Sequence, residues 1–319
     1  MRALLIDHEL RLRTDYPDPA PAPGESIVRV RTAGICGTDL ELARGYMTYR
    51  GVPGHEFVGE VAETRDGALT SRRVVGEINA ACGRCGRCER CIAGLGRHCP
   101  NRTVLGILGR DGAFADYLRL PNENLIPVPD SLPDEMAVFV EPVAAIYEIF
   151  EQTPLRRDRK IVILGPGRLG TLAAMVLRAE DYAVVVAGRR QERLDRLAAL
   201  GLEVELENRL EAGSFDVVID CTGQSAGFNR ALELVRPRGT LILKSTAAAG
   251  AMLNLAAAVV NEVTILGSRC GRFGPAIAAL AAGKLDPRPL ISAVYPLDDA
   301  LAAFDAASDP SNFKVLLKP

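Results

Sequence analysis

Residues 160–170 read Lys-Ile-Val-Ile-Leu-Gly-Pro-Gly-Arg-Leu-Gly, and no other stretch narrows the possible folds as much. A short apolar run opens directly on glycines at 165, 167 and 170, and helical spacing takes over at 169–178. Those glycines have separate tasks: a tight turn, close backbone approach to a pyrophosphate, and close contact of helix on strand. The start of the helix then turns its unpaired N–H groups and positive dipole end toward phosphate. An isolated G-x-G-x-x-G also occurs in plain structural turns, but a strand before it and a helix after it make a dinucleotide site specific. The pattern continues downstream. Residues 182–188 are strand-like and 191–200 helical, and 215–221, 239–245 and 263–268 are further strand-like runs. Such alternation predicts an α/β unit with a doubly wound parallel sheet. Gly165, Gly167, Arg168, Leu169 and Gly170 are the cofactor-binding candidates.

The second strand of this unit runs into Gly188-Arg189-Arg190, with no acidic residue before Glu192. A site for NAD would place a carboxylate there for the ribose 2′-hydroxyl. Two guanidinium groups instead suit a 2′-phosphate, through bidentate charge-assisted hydrogen bonds. The expected cofactor is NADP(H) in preference to NAD(H); the plainer alternative makes Arg189 and Arg190 solvated residues at a helix start.

The flanking sequence has a different character. Residues 1–7, 26–32, 57–63, 73–78, 113–120 and 124–128 look like strands, and a proline-rich loop separates the first two. Helical periodicity begins at 143–152, and beyond 268 only a helix at 275–282 and a strand at 313–319 stand out. The expected division is a β-rich domain over 1–142, the α/β domain over 143–270, and a return to the first domain over 271–319. With 319 residues, 48% of them hydrophobic, the chain can bury cores of that size. A formal net charge of −2 provides no field for nucleic acid, no run is long enough to span a bilayer, and the amino terminus lacks a secretory signal. These features predict a cytoplasmic protein with neither nucleic-acid nor membrane partners.

Five of the eight cysteines fall between positions 82 and 99. In a reducing compartment such crowding means metal rather than disulfides. Cys85, Cys88, Cys91 and Cys99 have the spacing C-x2-C-x2-C-x7-C, which lets four thiolates converge on one tetrahedral zinc at about 2.3 Å. Four thiolates leave no open position, so this ion would staple a loop too polar to hold itself together. Cys82 is either spare or a competitor for the first ligand position. A nucleic-acid zinc ribbon is disfavoured because no aromatic residue stands among the interleaved arginines.

A second group is dispersed: Cys36 in GICGTD, His55 and Glu56 in VPGHEFVGE, and Glu141 in VFVEPVAA. A catalytic zinc needs three protein ligands and an open fourth position. Cys36, His55 and one carboxylate meet that need, with Glu56 and Glu141 both open as the third ligand.

Taken together, GICGTDLE, GHEFVGE, the cysteine loop, Glu141-Pro142, GPGRLG, the DCTG of 220–223 and the ending FKVLLKP resemble the zinc-containing medium-chain dehydrogenase/reductase superfamily over essentially the whole chain. The resemblance implies a GroES-like β-rich catalytic domain joined to a Rossmann domain. It implies two zinc ions per chain and a homodimer or homotetramer, and adds Thr222 to the cofactor-binding residues. Glutamate at 141 looks like the polyol, sugar and threonine dehydrogenase branch, and the CGTDLE and GHEFVGE segments are similar to glucose dehydrogenase-like members in particular. Thr38 matches the family's hydroxyl beside the substrate oxygen, and Asp39 would orient His55. The relay histidine that many family alcohol dehydrogenases carry five residues after the first cysteine ligand is Glu41 here. The implied activity is hydride transfer between NADP(H) and a small alcohol, polyol or sugar-like substrate or its carbonyl. The competing expectations are a zinc-free, quinone-reductase-like enzyme and a non-catalytic NADPH-binding sensor of the same fold.

Overall fold

The computed structural model describes residues 1–82, 88–245 and 255–319. The chain forms two compact units, Met1–Glu141 with Phe273–Pro319, and Pro142–Arg272. Among the described residues no helix is long and apolar enough to cross a membrane.

The second unit is built on a six-stranded parallel sheet. Its strands lie in the order Glu203–Leu206, Val184–Gly188, Ile161–Leu164, Phe215–Asp220, Val235–Leu243 and Thr264–Gly267. All four residues of Ile161–Leu164 are buried, as expected for a central strand covered on both faces. One covering layer comes from the helix Ser225–Leu234, whose Phe228, Ala231 and Leu232 pack with Val162, Val218 and Leu241. Another is the helix Arg168–Ala179, buried without interruption from Gly170 to Leu177. In chain order the strands run 3-2-1-4-5-6, so the winding reverses between Ile161–Leu164 and Phe215–Asp220. Ligands of open parallel sheets bind beyond the carboxyl ends of the strands at such a reversal. Leu164 and Asp220, paired in register, mark that point.

The first unit centres on the 11-residue strand Glu25–Ile35. It has antiparallel neighbours: Glu56–Glu63 on one side, and Lys314–Lys318, with Tyr117–Pro121, elsewhere along its length. The sheet continues through Arg73–Gly76 to Leu125–Pro127, and beyond Lys314–Lys318 to Ile291–Pro296. The final strand of the chain is therefore an interior strand of a sheet begun near the amino terminus. The helix Ala300–Ser308 fixes this return, with Phe304 meeting Phe114 edge to face at 5.7 Å.

Some elements differ from expectation. Residues 113–120 do not form one strand; only Tyr117–Pro121 is extended in the sheet. The residues before it bond elsewhere: the Phe114 carbonyl accepts from the Leu4 N–H, and the Ala113 N–H donates to the Gly54 carbonyl. The strands Glu9–Arg13 and Ile291–Pro296 and the helices Gly37–Ala43 and Ala300–Ser308 carry too little periodicity to stand out in the sequence. His8 takes a left-handed conformation (φ 63°) where the hairpin Ala3–Asp7/Glu9–Arg13 reverses.

Candidate functional site

Cys36 lies one residue beyond the central strand and is the N-cap of the helix Gly37–Ala43. His55 immediately precedes the strand Glu56–Glu63. Pairing of Gly34 with Glu56 brings these two strand ends side by side. As a result one ligand atom from each of Cys36, His55 and Glu56 lies within 4.8 Å of the other two, with His55 and Glu56 buried. A thiolate, an imidazole and a carboxylate at that separation are a donor set suited to zinc.

Asp39 locks the arrangement. Its fully buried carboxylate accepts the Cys36 N–H at 2.9 Å through Oδ2 and the Gly54 N–H at 3.1 Å through Oδ1. It thereby caps the helix and ties the Cys36 turn to the His55 turn. Oδ1 also lies 3.2 Å from His55 Nδ1. Burial disfavours the imidazolium, yet the Asp39 carboxylate and the Cys36 sulfur beside it raise the His55 pKa well above the ordinary histidine value. The Asp39 carboxylate is thus engaged by the Cys36 and Gly54 N–H groups and lies beside the His55 ring. Thr38 Oγ1 lies 3.9 Å from Cys36 Sγ, on the first turn of the helix. Glu41, on the same helix, bonds Arg44 at 2.8 Å through Oε1. Glu141 begins the helix Val140–Gln152 and is not a member of the three-residue group.

Lys314 was missed. Its ammonium forms a buried ion pair with Glu56 Oε2 and lies 5.7 Å from the centre of the Phe139 ring. Register explains the meeting: Val315 pairs with Ile35 on one side of the central strand and Glu56 with Gly34 on the other. The pair spans that strand over Gly34, where a Cβ would stand 2.6 Å from Glu56 Oε2. Within the sequence Lys314 is one polar residue of FKVLLKP, 258 positions from its partner, and nothing local marks it.

In the cysteine loop, the sulfurs of Cys82, Cys91 and Cys99 lie within 4.8 Å of one another. Cys88 Sγ lies 4.0 Å from Cys99 Sγ and accepts the Cys91 N–H at 3.4 Å. Cys85, the remaining expected ligand, lies outside the described residues.

The glycine turn has the shape its spacing requires. Gly165 is left-handed (φ 101°), and a Cβ on Gly170 would stand 2.0 Å from the Gly165 carbonyl oxygen. Gly167 is the N-cap of the helix Arg168–Ala179, with open space where a Cβ would point. Arg168 and Leu169 form the first turn of that helix, half-buried. Gly170→Ala should therefore push the helix off the strand and weaken dinucleotide binding about 5- to 150-fold, an overpacking cost of about 1–3 kcal/mol; calorimetric titration would measure it. On the neighbouring strand, Asp220 Oδ1 accepts both the Thr222 N–H at 2.8 Å and its hydroxyl at 2.7 Å, shaping the DCTG turn. Arg189 and Arg190 are exposed at the end of Val184–Gly188, where Arg190 is the N-cap of the helix Gln191–Ala199. Arg189 Nη2 donates a 3.4 Å hydrogen bond to Gln224 Oε1.

Known proteins share this organisation. Residues 22–130 match the alcohol dehydrogenase GroES-like domain, and residues 169–282 match the zinc-binding dehydrogenase family. An L-threonine 3-dehydrogenase of Deinococcus deserti is 30% identical over 95% of this chain and 94% of its own length. A sorbitol dehydrogenase of Halalkalibacterium halodurans is 27% identical, covering 96% of this chain and 94% of the relative. Among solved structures, the alcohol dehydrogenase TADH from Thermus sp. ATN1 superposes with a TM-score of 0.91 at 29% identity, covering 100% of both chains.

Proposed function

Because the chain belongs to the zinc-containing medium-chain dehydrogenase/reductase superfamily, and so to a family of alcohol and polyol dehydrogenases, we propose that it transfers a hydride between NADP(H) and a small polyol, sugar or amino alcohol or the matching carbonyl compound, at a zinc ion held by Cys36, His55 and a carboxylate. The observation that carries this proposal is the convergence of Cys36, His55 and Glu56 within 4.8 Å. Zinc bound there would polarise a carbonyl or lower the pKa of a hydroxyl, as it lowers that of water from roughly 15.7 to about 7, while the nicotinamide supplies or accepts the hydride.

The protein's own contribution is orientation and proton handling. Asp39 holds the backbone on which Cys36 and His55 stand. Lys314 offsets part of the Glu56 charge, which leaves the site less anionic than three ligands alone would make it. With Glu56 in the group, Glu56 is the carboxylate favoured here, and Glu141 is the candidate to act through water. Thr38, within reach of the Cys36 sulfur, is the hydroxyl that would take or give the proton of the substrate oxygen. The exposed Leu255, Val259, Val260 and Ile265, near the outermost strand Thr264–Gly267, support a homodimer or homotetramer.

The test is a panel of polyols, sugars and amino alcohols, with their ketones and aldehydes, assayed with both cofactors before and after zinc removal. Zinc-dependent turnover with a preference for NADP(H) is expected. Turnover untouched by zinc removal would favour a quinone-reductase-like chemistry, and no turnover across the panel a sensor. Arg189→Ala isolates the cofactor choice. Loss of a charge-assisted hydrogen bond worth about 1.5–3 kcal/mol should raise the KM for NADPH roughly 10- to 100-fold. The KM for NADH should stay within about twofold, since that ligand has no 2′-phosphate to lose.

A further inference from the structure

The glycine turn follows the carboxyl end of the strand Ile161–Leu164, whereas the amino ends of the same sheet are ringed by arginine. Arg156 and Arg159 precede Ile161–Leu164, Asp216 stands in Phe215–Asp220, and Arg236 and Arg238 belong to the start of Val235–Leu243. Together they line a cavity of about 130 Å³. We propose that this cavity binds a small oxyanion of the phosphate type, either the free ion or the phosphoryl end of a phosphomonoester, through Arg156, Arg159, Arg236 and Arg238.

Charge, backbone and size each support the assignment. The lining holds four guanidinium groups against one carboxylate. That carboxylate is already committed: Asp216 Oδ1 accepts Arg159 Nη1 and Arg236 Nε, each at 2.8 Å, and Oδ2 accepts the Lys160 N–H at 2.9 Å. Burial pushes the Asp216 pKa up, but these three donors bring it down to about 2, so the anchor stays ionised at neutral pH. One carboxylate between two guanidinium groups fixes their positions and leaves net positive charge beside the cavity. Arg156 and Arg238 add to it. Their partners, Asp158 and Glu262, form exposed pairs, and ion pairs so open to water contribute little and yield to a better ligand. Guanidinium suits phosphate because its planar fork of N–H groups bonds two oxygens at once. The backbone presents these side chains deliberately. Between the pairs Phe215–Val235 and Val217–Thr240 the register shifts, so that Asp216 on one strand faces residues 236–239 on the other. A bulge of this kind re-aims side chains. Within it Arg238 is held left-handed (φ 60°), a conformation uncommon outside glycine, and a Cβ on Gly239 would stand 2.9 Å from the Asp216 carbonyl oxygen. Size selects the ligand class. Pockets for organic ligands run from about 300 to 1,000 Å³, and this cavity is well below that range.

The site is separate from the dinucleotide turn, because four residues of extended strand, about 13 Å, lie between them. It is also independent of the Cys36 centre and of any activity. The test is calorimetric titration of the full-length protein with inorganic phosphate at constant ionic strength. Binding with a Kd of about 1 mM or tighter is expected. Arg156→Gln combined with Arg238→Gln leaves the Asp216 anchor intact and should weaken that binding at least about tenfold. Both side chains are exposed, so circular dichroism of the double variant should match the wild type. Arg189→Ala, which alters the dinucleotide side of the sheet, should change phosphate binding by less than about twofold. A wild-type Kd above about 10 mM would overturn the proposal. So would a double variant that binds like the wild type, or binding that is lost on Arg189→Ala instead. Glycerol 3-phosphate is titrated in parallel, counting only the binding that the double variant removes. A Kd within about tenfold of that for phosphate assigns the site to a phosphoryl end, and a weaker one assigns it to the free ion.

Discussion

Cys36→Ser should bind one zinc ion per chain instead of two and lose at least about 1,000-fold in kcat/KM. The figure follows from the several kcal/mol of charge stabilisation that a Lewis-acidic metal supplies, at about 1.36 kcal/mol per factor of ten. The fold should survive. The Asp39 carboxylate accepts the backbone N–H of Cys36, which a serine keeps. Serine is moreover among the preferred N-cap residues, so the helix Gly37–Ala43 keeps its start. Metal analysis, circular dichroism and steady-state kinetics on one preparation make the test. Turnover close to wild type with one zinc lost would disprove the proposed chemistry. A second ion in the cysteine loop would be held by different residues, so the remaining zinc should resist chelation as in the wild type.

Lys314→Met should destabilise the protein by about 3–5 kcal/mol, the range for removing one partner of a buried ion pair. The lysine and glutamate side chains are 9% and 1% exposed, so solvent offers Glu56 little compensation once the ammonium is gone. The methionine stem can still cover Phe139, which isolates the loss of charge from the loss of packing. Denaturant unfolding of the chelator-treated protein should show the full effect. The zinc-loaded protein should show less, because a metal beside Glu56 supplies a second cation. Adding Glu56→Gln to Lys314→Met should recover most of the stability while leaving activity impaired. A loss below about 1 kcal/mol in the chelator-treated variant would mean that the pair is solvated in solution.

Much of the second unit was legible because its determinants are local. A buried parallel strand must be apolar along its length, a turn against phosphate needs glycine where a Cβ would collide, and a helix covering the sheet repeats its apolar face. Those demands fall on consecutive residues, from Ile161 to Gly170 and from Val184 to Ala199. Residues 113–115 misled because their strand-like composition serves two different partners instead of one ladder.

The type of each unit, the donor chemistry available and the glycine turn could be read from residues close together along the chain. It takes the folded chain to bring Glu56 to Cys36 and His55, Lys314 to Glu56, and Cys82 among the sulfurs of Cys91 and Cys99. These depend on strand register and on a carboxyl-terminal strand returning to the middle of a sheet begun near residue 25. A register shift of one residue turns a side chain to the opposite face, so contacts of this kind are set by the pairing of distant strands and leave no mark on either segment alone.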